Sequence, residues 1–419
     1  MTEASFDVVG VGAGPANLSL AALFDALAPL EMALFEGKPG PDWHGGMLHA
    51  GVRMQTGWVK DLVSLVDPTH RLSFLNYLVS TGRVFAMLGA GFETVPRHEY
   101  TSYLAWAAAR LPRVHYGVPI ERISYDGAFV CCSAGDRVAT GTHLALGQGT
   151  VPYVPLFLRD VDPARVVVAD DLGARLAELP TDPDTRIAVA GSGQTGAECV
   201  QLLLGTGYRN VAWLGRRPWF APLEDSPAAN DLYRPAYGEF FLGLSPPTRQ
   251  RLVRAQVLTS DGITPGTLRA IYQANYEQYL CTGRHPVTVM PGRDLFAAEA
   301  AGDELVLRCR GLGTEEEHRA SYLVVALGRR YAPLPFDGEL CEMIDSDEAG
   351  EALLEADYSV RWKYADRNRI FMANRGRYSH GLADANLSLL PVRAATVINS
   401  LASREVFRIR DDCLSTVWA

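Results

Sequence analysis

A glycine-rich turn in the middle of the chain has the residue types and spacing needed to hold a dinucleotide. Gly191, Gly193 and Gly196 follow the apolar run 187–190 and precede the helical pattern 197–204. Glycines let the backbone pass close to a pyrophosphate, and the following helix directs the partial positive charge of its N-terminus at the anion. The spacing predicts a strand, a tight turn and a nucleotide-binding helix.

A second turn of this kind lies near residue 10 and departs from the full pattern at one position. Gly12 and Gly14 follow the apolar residues 6–10, but Asn17 occupies the third glycine position. The next apolar strand ends in Glu36, where a carboxylate can accept hydrogen bonds from an adenosine ribose. One such motif is equally consistent with an ordinary tight turn. Two of them predict two bound dinucleotides and electron transfer between them.

The second strand of the later unit ends in charge of the opposite sign. The apolar residues 211–215 lead directly into Arg216 and Arg217. Two guanidiniums suit a 2′-phosphate, so the pattern favours NADPH over NADH. A solvated basic turn is the alternative.

Composition excludes several function classes. Apolar residues make up 48% of the 419 residues and charged residues 21%, as in globular enzymes. The net charge of −9 provides no general basic surface for nucleic acid. No apolar run approaches the length of a membrane span, and we find no signal peptide. The seven cysteines show no C-x-x-C spacing, and no metal-ligand spacing appears among the histidines. We therefore expect a cytoplasmic protein without a metal.

The pattern of elements predicts an α/β protein with two Rossmann-like dinucleotide-binding domains and a small helical substrate region. FAD near the N-terminus with NADPH bound by a domain inserted later is the layout of several oxidoreductase classes, so we expect FAD in the first domain and NADPH in the second. The similar segments 144–147 and 325–328 both end in glycine, as expected where the chain crosses between domains. Residues 151–185 are interpreted as the first linker. The predicted domains are a discontinuous FAD-binding domain (1–155 and 331–419), an NADPH-binding domain (156–217 and 286–330) and a helical substrate-binding region (218–285).

At this level of detail the chain resembles a known family, the flavin-dependent N-hydroxylating monooxygenases of siderophore biosynthesis, which act on lysine, ornithine, cadaverine or putrescine. The resemblance extends over nearly the whole chain. The segments that carry it are 10–19 (GVGAGPANLS), 43–47 (WHGGM), 54–63 (MQTGWVKDLV), 67–77 (DPTHRLSFLNY), 96–100 (PRHEY), 191–196 (GSGQTG), 259–263 (TSDGI) and 380–389 (HGLADANLSL).

The resemblance implies sites for both cofactors. FAD is expected on Gly12, Gly14, Pro15, Asn17, Glu36, Trp43, His44 and Gln55. NADPH is expected on Gly191, Gly193, Gln194 and Gly196, with Arg216 or Arg217 on the 2′-phosphate. It also implies that a C4a-hydroperoxide of the flavin transfers oxygen to the amine. Gln194 would position the oxidised nucleotide that shields this species and is the candidate catalytic residue.

The resemblance to ornithine hydroxylases implies a substrate site as well. Lys60 and Asn275 would hold an α-carboxylate, and Asn230 and Ser388 the amine-bearing part of the substrate. Lys60 is one of only three lysines in the chain, yet lies in a mostly apolar stretch. Each residue also has an ordinary structural explanation: chance retention for Lys60, helix caps or solvated helix positions for Asn230 and Asn275, and a cap for Ser388.

The sequence thus predicts an NADPH- and O2-dependent hydroxylase of the side-chain amine of L-lysine, with L-ornithine close behind. The amide of Asn275 beside a lysine favours a substrate that carries a carboxylate. Alternatives are a diamine hydroxylase acting on cadaverine or putrescine, a sulfide- or ketone-oxidising monooxygenase, and a flavoprotein scaffold without turnover. The resembling enzymes are often dimers or tetramers, so a homo-oligomer is possible.

Overall fold

The computed structural model describes residues 4–311 and 313–418. The strands are β1 (Ala4–Val11), β2 (Met32–Glu36), β3 (Val114–Tyr116), β4 (Arg122–Tyr125), β5 (Phe129–Ser133), β6 (Asp136–Leu146), β7 (Thr150–Pro152), β8 (Val166–Val168), β9 (Ile187–Ala190), β10 (Val211–Gly215), β11 (Val287–Pro291), β12 (Asp294–Ala301), β13 (Glu304–Arg310), β14 (Glu315–Ala320), β15 (Tyr322–Val325), β16 (Arg329–Tyr331) and β17 (Ile370–Met372). The α-helices are α1 (Pro15–Leu23), α2 (Phe74–Ser80), α3 (Val84–Gly89), α4 (Arg97–Ala108), α5 (Leu172–Arg175), α6 (Gln194–Gly205), α7 (Pro227–Asn230), α8 (Pro235–Leu242), α9 (Pro246–Ala255), α10 (Leu258–Asp261), α11 (Pro265–Thr282), α12 (Gly338–Glu342) and α13 (Leu390–Ala402).

A seven-stranded sheet contains the first glycine turn. Its order is β3-β2-β1-β6-β5-β4, and β17 pairs in parallel with the last residues of β6. The strands β1, β2 and β6 run parallel, so their carboxyl ends meet at one edge of the sheet, where doubly wound folds bind ligands. Residues 370–372 join this sheet although they lie far along the chain from β1, and α13 packs against α1.

A five-stranded parallel sheet contains the second glycine turn. Its order is β11-β10-β9-β15-β8. Both faces of β9 are buried, which explains its uninterrupted apolar sequence. The strand β8 belongs to this sheet, so the interpretation of residues 151–185 as a linker is wrong for 166–168. The short apolar run Val166–Val168 pairs with β15 at the sheet edge. The exact domain limits stay a prediction.

The two crossings between the sheets lie side by side. Immediately after the similar segments noted in the sequence, β7 and β16 form an antiparallel two-stranded ribbon. The N–H of Tyr153 also donates to the carbonyl of Gly328 at 2.9 Å. A separate antiparallel sheet, β12-β13-β14, follows β11.

Residues 227–282 form the helices α7 to α11. A small core of this helical region contains Leu232, Tyr237, Phe241 and Val253, and it also includes Leu382 from the segment between β17 and α13. The helical region is therefore packed against a segment that leaves the first sheet. Within the described residues, no helix is both long and apolar enough to span a bilayer.

Candidate active site

The first glycine turn fits a dinucleotide pyrophosphate. Gly12 has a φ of +89°, and a Cβ there would lie 2.7 Å from the carbonyl oxygen of Gly147, so only glycine fits. The helix α1 follows with Gly14 as its N-cap and Pro15 in its first turn, and no side chain caps it. Its first backbone N–H groups are therefore available to an anion.

Asn17 shapes this turn from inside the protein. The residue is buried, and its amide nitrogen lies 3.1, 2.8 and 3.2 Å from the carbonyl oxygens of Val11, Gly12 and Ala145. The side chain thus joins the end of β1 to the end of β6. It occupies the third glycine position because it satisfies backbone carbonyls there, a role that the glycine pattern does not predict.

Glu36 lies at the end of β2 beside the same turn. One carboxylate oxygen accepts a hydrogen bond from the N–H of Ala13 at 2.9 Å, and the other accepts from the N–H of Lys38 at 3.0 Å. These bonds fix the carboxylate, and each oxygen retains a lone pair. The role of Glu36 in binding a ribose hydroxyl stays a prediction.

Trp43 and His44 lie in the loop that follows β2. The half-buried Trp43 ring contacts His44 at 4.4 Å and Tyr100 at 5.6 Å between ring centroids. His44 has a φ of 56°. Part of the residue is open to solvent, but burial of the ring, followed by the guanidiniums of Arg97 and Arg329, lowers its pKa to about 4. His44 is therefore neutral at pH 7.

The glycines of the second turn have different functions. A Cβ on Gly191, whose φ is +146°, would lie 2.1 Å from the carbonyl oxygen of Ala326. A Cβ on Gly196 would lie 2.3 Å from the carbonyl oxygen of Gly191. These two glycines permit close backbone packing. In contrast, no atom lies within 4 Å of a Cβ built on Gly193, which is the uncapped N-cap of α6. Gly193 thus borders open space at the start of α6, and its contact with a pyrophosphate stays a prediction.

Gln194 is held by protein groups at the start of α6. Its side-chain oxygen accepts from the N–H of Thr264 at 2.8 Å, and its side-chain nitrogen donates to the carboxylate of Glu198 at 2.9 Å. The same nitrogen lies 3.4 Å from the hydroxyl of Thr267. The side chain therefore connects α6 to the beginning of α11. Its predicted role in positioning the oxidised nucleotide stays a prediction.

A buried ion pair joins α6 to the other sheet's helices. Arg97, at the start of α4, donates to both carboxylate oxygens of Glu198 at 2.8 and 2.7 Å. Their side chains are 13% and 4% exposed. Because Glu198 also accepts from Gln194, one carboxylate connects α4, α6 and the start of α11. Sequence reasoning missed this pair, since its members are 101 residues apart.

The two arginines after β10 differ in their surroundings. Arg217 donates to the carbonyl oxygen of Asp261 at 3.0 Å, which connects the turn to α10. Arg216 is exposed, and the described residues offer it neither a hydrogen bond nor an ion pair. Arg216 is thus the better candidate for the 2′-phosphate.

Lys60 lies in a loop that is fastened to the first glycine turn's helix. The hydroxyl of Ser19 in α1 donates to the carbonyl oxygen of Leu62 at 2.6 Å. Lys60 is half-buried, and its ammonium has no ion pair among the residues described; burial lowers its pKa. Gln55, earlier in the loop, is exposed. A desolvated cation without a carboxylate partner fits an anionic substrate group.

Asp61 builds the loop that presents Lys60. Its buried carboxylate accepts from the N–H groups of Val63, Ser64 and Phe74 at 2.9, 2.6 and 2.6 Å. The Ser64 hydroxyl donates to it as well, at 2.7 Å. Sequence reasoning missed this function, although an aspartate inside an apolar stretch is a usable signal.

The predicted contact of Asn275 with a substrate carboxylate is contradicted by its geometry. Its amide nitrogen donates to the carbonyl oxygen of Val287, and its amide oxygen accepts from the N–H of the same residue, both at 2.9 Å. Val287 begins β11, at the edge of the parallel sheet opposite to the nucleotide turn. Asn275 therefore fastens α11 to β11, away from the ligand edge.

Asn230 and Ser388 lie on two segments that pack together. Asn230 is exposed at the end of α7, and its amide donates to the carbonyl oxygen of Asp225 at 3.3 Å. The following turn places Leu232 in the same apolar cluster as Leu382. Ser388 is buried a few residues beyond Leu382. Within the described residues, no direct contact joins either side chain to Lys60.

Comparisons with known proteins identify the family of this chain. The family model described as L-lysine 6-monooxygenase/L-ornithine 5-monooxygenase matches residues 4–331. L-lysine N6-monooxygenase from Escherichia coli is 31% identical over 414 residues, which cover 96% of each protein. Putrescine N-hydroxylase from Shewanella oneidensis is 30% identical, covering 94% of this chain and 80% of its own length.

A solved structure extends the likeness to the fold. The cadaverine monooxygenase of the desferrioxamine pathway from Erwinia amylovora, solved with FAD bound, matches with a TM-score of 0.91 and 27% identity. The match covers 99% of this chain and 98% of that one. The predicted two Rossmann-like domains and the resemblance to N-hydroxylating enzymes are thereby confirmed. This chain belongs to the L-lysine 6-monooxygenase/L-ornithine 5-monooxygenase family and is an N-hydroxylating flavin monooxygenase that uses FAD and NADPH.

Proposed function

We propose that this enzyme hydroxylates the side-chain amine of L-lysine, with L-ornithine as the next best substrate. The product would enter the biosynthesis of a siderophore or of a related hydroxamate or N–N-bonded natural product. The observation that carries the proposal is Lys60, a half-buried cation without an ion pair on the loop attached to α1. The relatives supply the reaction class, since their names include lysine, putrescine and cadaverine enzymes.

The reaction consumes one dioxygen and one NADPH for each amine. It converts R–NH2, O2, NADPH and H⁺ to R–NHOH, H2O and NADP⁺, so one oxygen atom enters the N–O bond and the other leaves as water. Bound FAD, once reduced by NADPH, supplies the activation of dioxygen. The protein must bind the amine, hold it in its neutral form and exclude water.

The described residues suit these tasks. Gly12, Gly14 and Glu36 would hold FAD at the carboxyl edge of the first sheet. Gly193 and the start of α6 would bind the pyrophosphate of NADPH, and Arg216 its 2′-phosphate.

The substrate amine has a pKa of about 10.4 in water and is protonated at pH 7. A desolvated pocket favours the neutral, nucleophilic form. A cation at the far end of the pocket does not conflict with this requirement, because it binds the carboxylate and leaves the amine without an anionic partner. Lys60 is proposed to be that cation, with Asn230 and Ser388 near the amine.

A diamine is the second candidate substrate. Asn275 is one of the two residues expected to bind a substrate carboxylate, but its side-chain amide is hydrogen-bonded to the backbone of Val287. Lys60 is thus the single remaining contact proposed for the carboxylate, and its contribution to substrate binding can be measured directly.

The test compares two amines that differ only by the carboxylate. Lys60→Ala should raise KM for lysine about 10- to 100-fold, the loss expected for one hydrogen bond to a charged group. It should leave KM for cadaverine and the rate of flavin reduction by NADPH near their wild-type values. Lys363→Ala, at an exposed lysine, is the control. Equal effects on both amines, or none on lysine, would remove Lys60 from carboxylate binding.

A further inference from the structure

The segment 374–389 connects the first sheet to α13 and carries Ser388. It begins with Asn374 at a φ of 64° and turns again at Gly381, whose φ is +86°. A Cβ on Gly381 would lie within 3.5–3.6 Å of Phe241 and Tyr237 in the helical region. The segment is thus confined on both sides, by the sheet it leaves and by the helices it touches.

Two charged side chains are buried at this segment. Asp384 is 2% exposed and Arg393, in the first turns of α13, is 5% exposed. One oxygen of Asp384 accepts from the N–H of Gly376 at 2.6 Å. Its other oxygen lies 3.5 Å from the Arg393 guanidinium. The carboxylate therefore closes the segment upon itself and faces the cation.

A chain of contacts leads from Arg393 to Ser388. The guanidinium donates to the carbonyl oxygen of Asn386 at 3.1 Å. The side-chain oxygen of Asn386 accepts from the N–H and from the hydroxyl of Ser388, at 2.8 and 2.6 Å. Movement of the guanidinium would thus displace the backbone on which Ser388 depends.

Arg393 and Asn17 of the first glycine turn line the same small cavity. A cavity of about 30 Å³ is lined by Arg393, Tyr358 and Asn17, among other residues. Within the described part of the chain, Nε and Nη1 of Arg393 have no hydrogen-bond acceptor. A buried ion pair is often no more stabilising than apolar residues of similar size. Stability alone is therefore a weak reason for charges at this place.

We propose that Arg393 and Asp384 are positioning residues for N-hydroxylation, which set the place of Ser388 relative to the turn at Asn17. This inference rests on the proposed function, in which Ser388 lies near the substrate amine. Neither charged residue contacts the substrate. If Ser388 is displaced, the amine is misaligned, and NADPH, H⁺ and O2 yield NADP⁺ and H2O2 with no N–O bond formed.

The test uses the double variant Asp384→Asn, Arg393→Met, because Arg393→Met alone leaves a buried carboxylate without its partner. The pair of neutral residues should keep the melting temperature of the apoprotein close to that of the wild type. FAD affinity and flavin reduction by NADPH should also be retained. The peroxide released per NADPH should rise about tenfold, since small misplacements have large kinetic effects. Arg404→Met, at an exposed arginine beyond the end of α13, is the control and should change none of these quantities.

Ser388→Ala supplies the second arm of the test. If the pair acts through Ser388, adding Ser388→Ala to the double variant should cause no further loss of coupling. The proposal would be overturned if the double variant released no more peroxide per NADPH than the wild type. It would also be overturned if adding Ser388→Ala to the double variant lowered coupling by as much as Ser388→Ala does in the wild type. Absence of hydroxylamine from the wild-type enzyme with every amine would instead refute the proposed function.

Discussion

Arg97 and Glu198 form a bidentate, buried ion pair. The pair joins α4, which packs beside the first glycine turn's helix, to α6, which follows the second glycine turn. Glu198 lies one turn beyond Gln194 in the nucleotide-binding helix and accepts a hydrogen bond from it. A carboxylate this close to a pyrophosphate site would repel the cofactor unless it were neutralised. The guanidinium of Arg97 provides that neutralisation and also fixes the orientation of Gln194.

Arg97→Met should destabilise the protein by about 3–5 kcal/mol, since it leaves Glu198 buried without its partner. The double variant Arg97→Met, Glu198→Gln should recover part of this loss. Arg71→Met breaks the ion pair with Asp25, in which both side chains are more than half exposed, and should cost less than about 1 kcal/mol. The free energies of unfolding in urea would provide the comparison. Equal losses for Arg97→Met and Arg71→Met would contradict the importance of the buried pair.

Asn17→Gly restores the usual glycine at the third position of the first turn and should nevertheless destabilise the protein. The change removes an amide whose two hydrogens are shared among the carbonyls of Val11, Gly12 and Ala145; of these, Val11 keeps the N–H of Gly147 as a donor at 2.9 Å. Buried acceptors left without donors cost about 1–3 kcal/mol. Asn17→Ala should lose a similar amount. Denaturant unfolding of the apoproteins would measure both changes, and a glycine variant as stable as the wild type would show that Asn17 does not fasten β1 to β6.

Arg216→Ala should weaken NADPH binding about 10- to 100-fold, as expected for the loss of one charge-assisted contact, and leave NADH binding nearly unchanged. Arg217→Ala should weaken both nucleotides to a similar degree, because its bond to Asp261 holds the turn in place. Flavin reduction rates at increasing concentrations of each nucleotide would provide the affinities. If Arg217→Ala lost more of the preference for NADPH over NADH than Arg216→Ala does, the 2′-phosphate would be assigned to Arg217 instead.

His380 should make the protein less stable in mild acid. Burial lowers the pKa of His380 below its ordinary value of 6.5, and Asp384 offsets this only in part. The unfolded chain therefore binds the proton more readily, and stability falls as the pH decreases below about 6.5. His380→Gln should show a smaller drop in melting temperature between about pH 8 and about pH 5 than the wild type. His98→Gln, at an exposed histidine, should retain the wild-type slope. If the melting temperature of His380→Gln fell with pH as steeply as that of the wild type, protonation of His380 would not contribute to the loss of stability in acid.

The parts of the site that sequence reasoning predicted are those encoded by neighbouring residues. Gly12 and Gly191 indicate their turns in the sequence, because the positive φ and the close backbone approach at these positions require glycine. Glu36 and Arg216 follow from the strand ends at which they lie. Strand β8 was missed because three valines at a sheet edge carry little signal of their own.

The errors and omissions concern contacts between distant parts of the chain. Asn275 had the residue type of a carboxylate contact, but an amide in a sequence gives no sign of whether its polar atoms are already spent on a distant backbone. The partners Arg97 and Glu198 are separated by 101 residues, so their pairing becomes visible only in three dimensions. The same holds for Arg393, whose position behind Ser388 depends on how the segment 374–389 folds.

The most direct test of the account is the stoichiometry of the purified enzyme with FAD, NADPH and L-lysine. NADPH consumption, hydroxylamine formation and peroxide release would be followed in the same reaction, with ornithine, cadaverine and putrescine in parallel. We expect one hydroxylamine per NADPH with lysine, and less efficient coupling with the two diamines. Peroxide equal to the NADPH consumed, with every one of these amines, would contradict it.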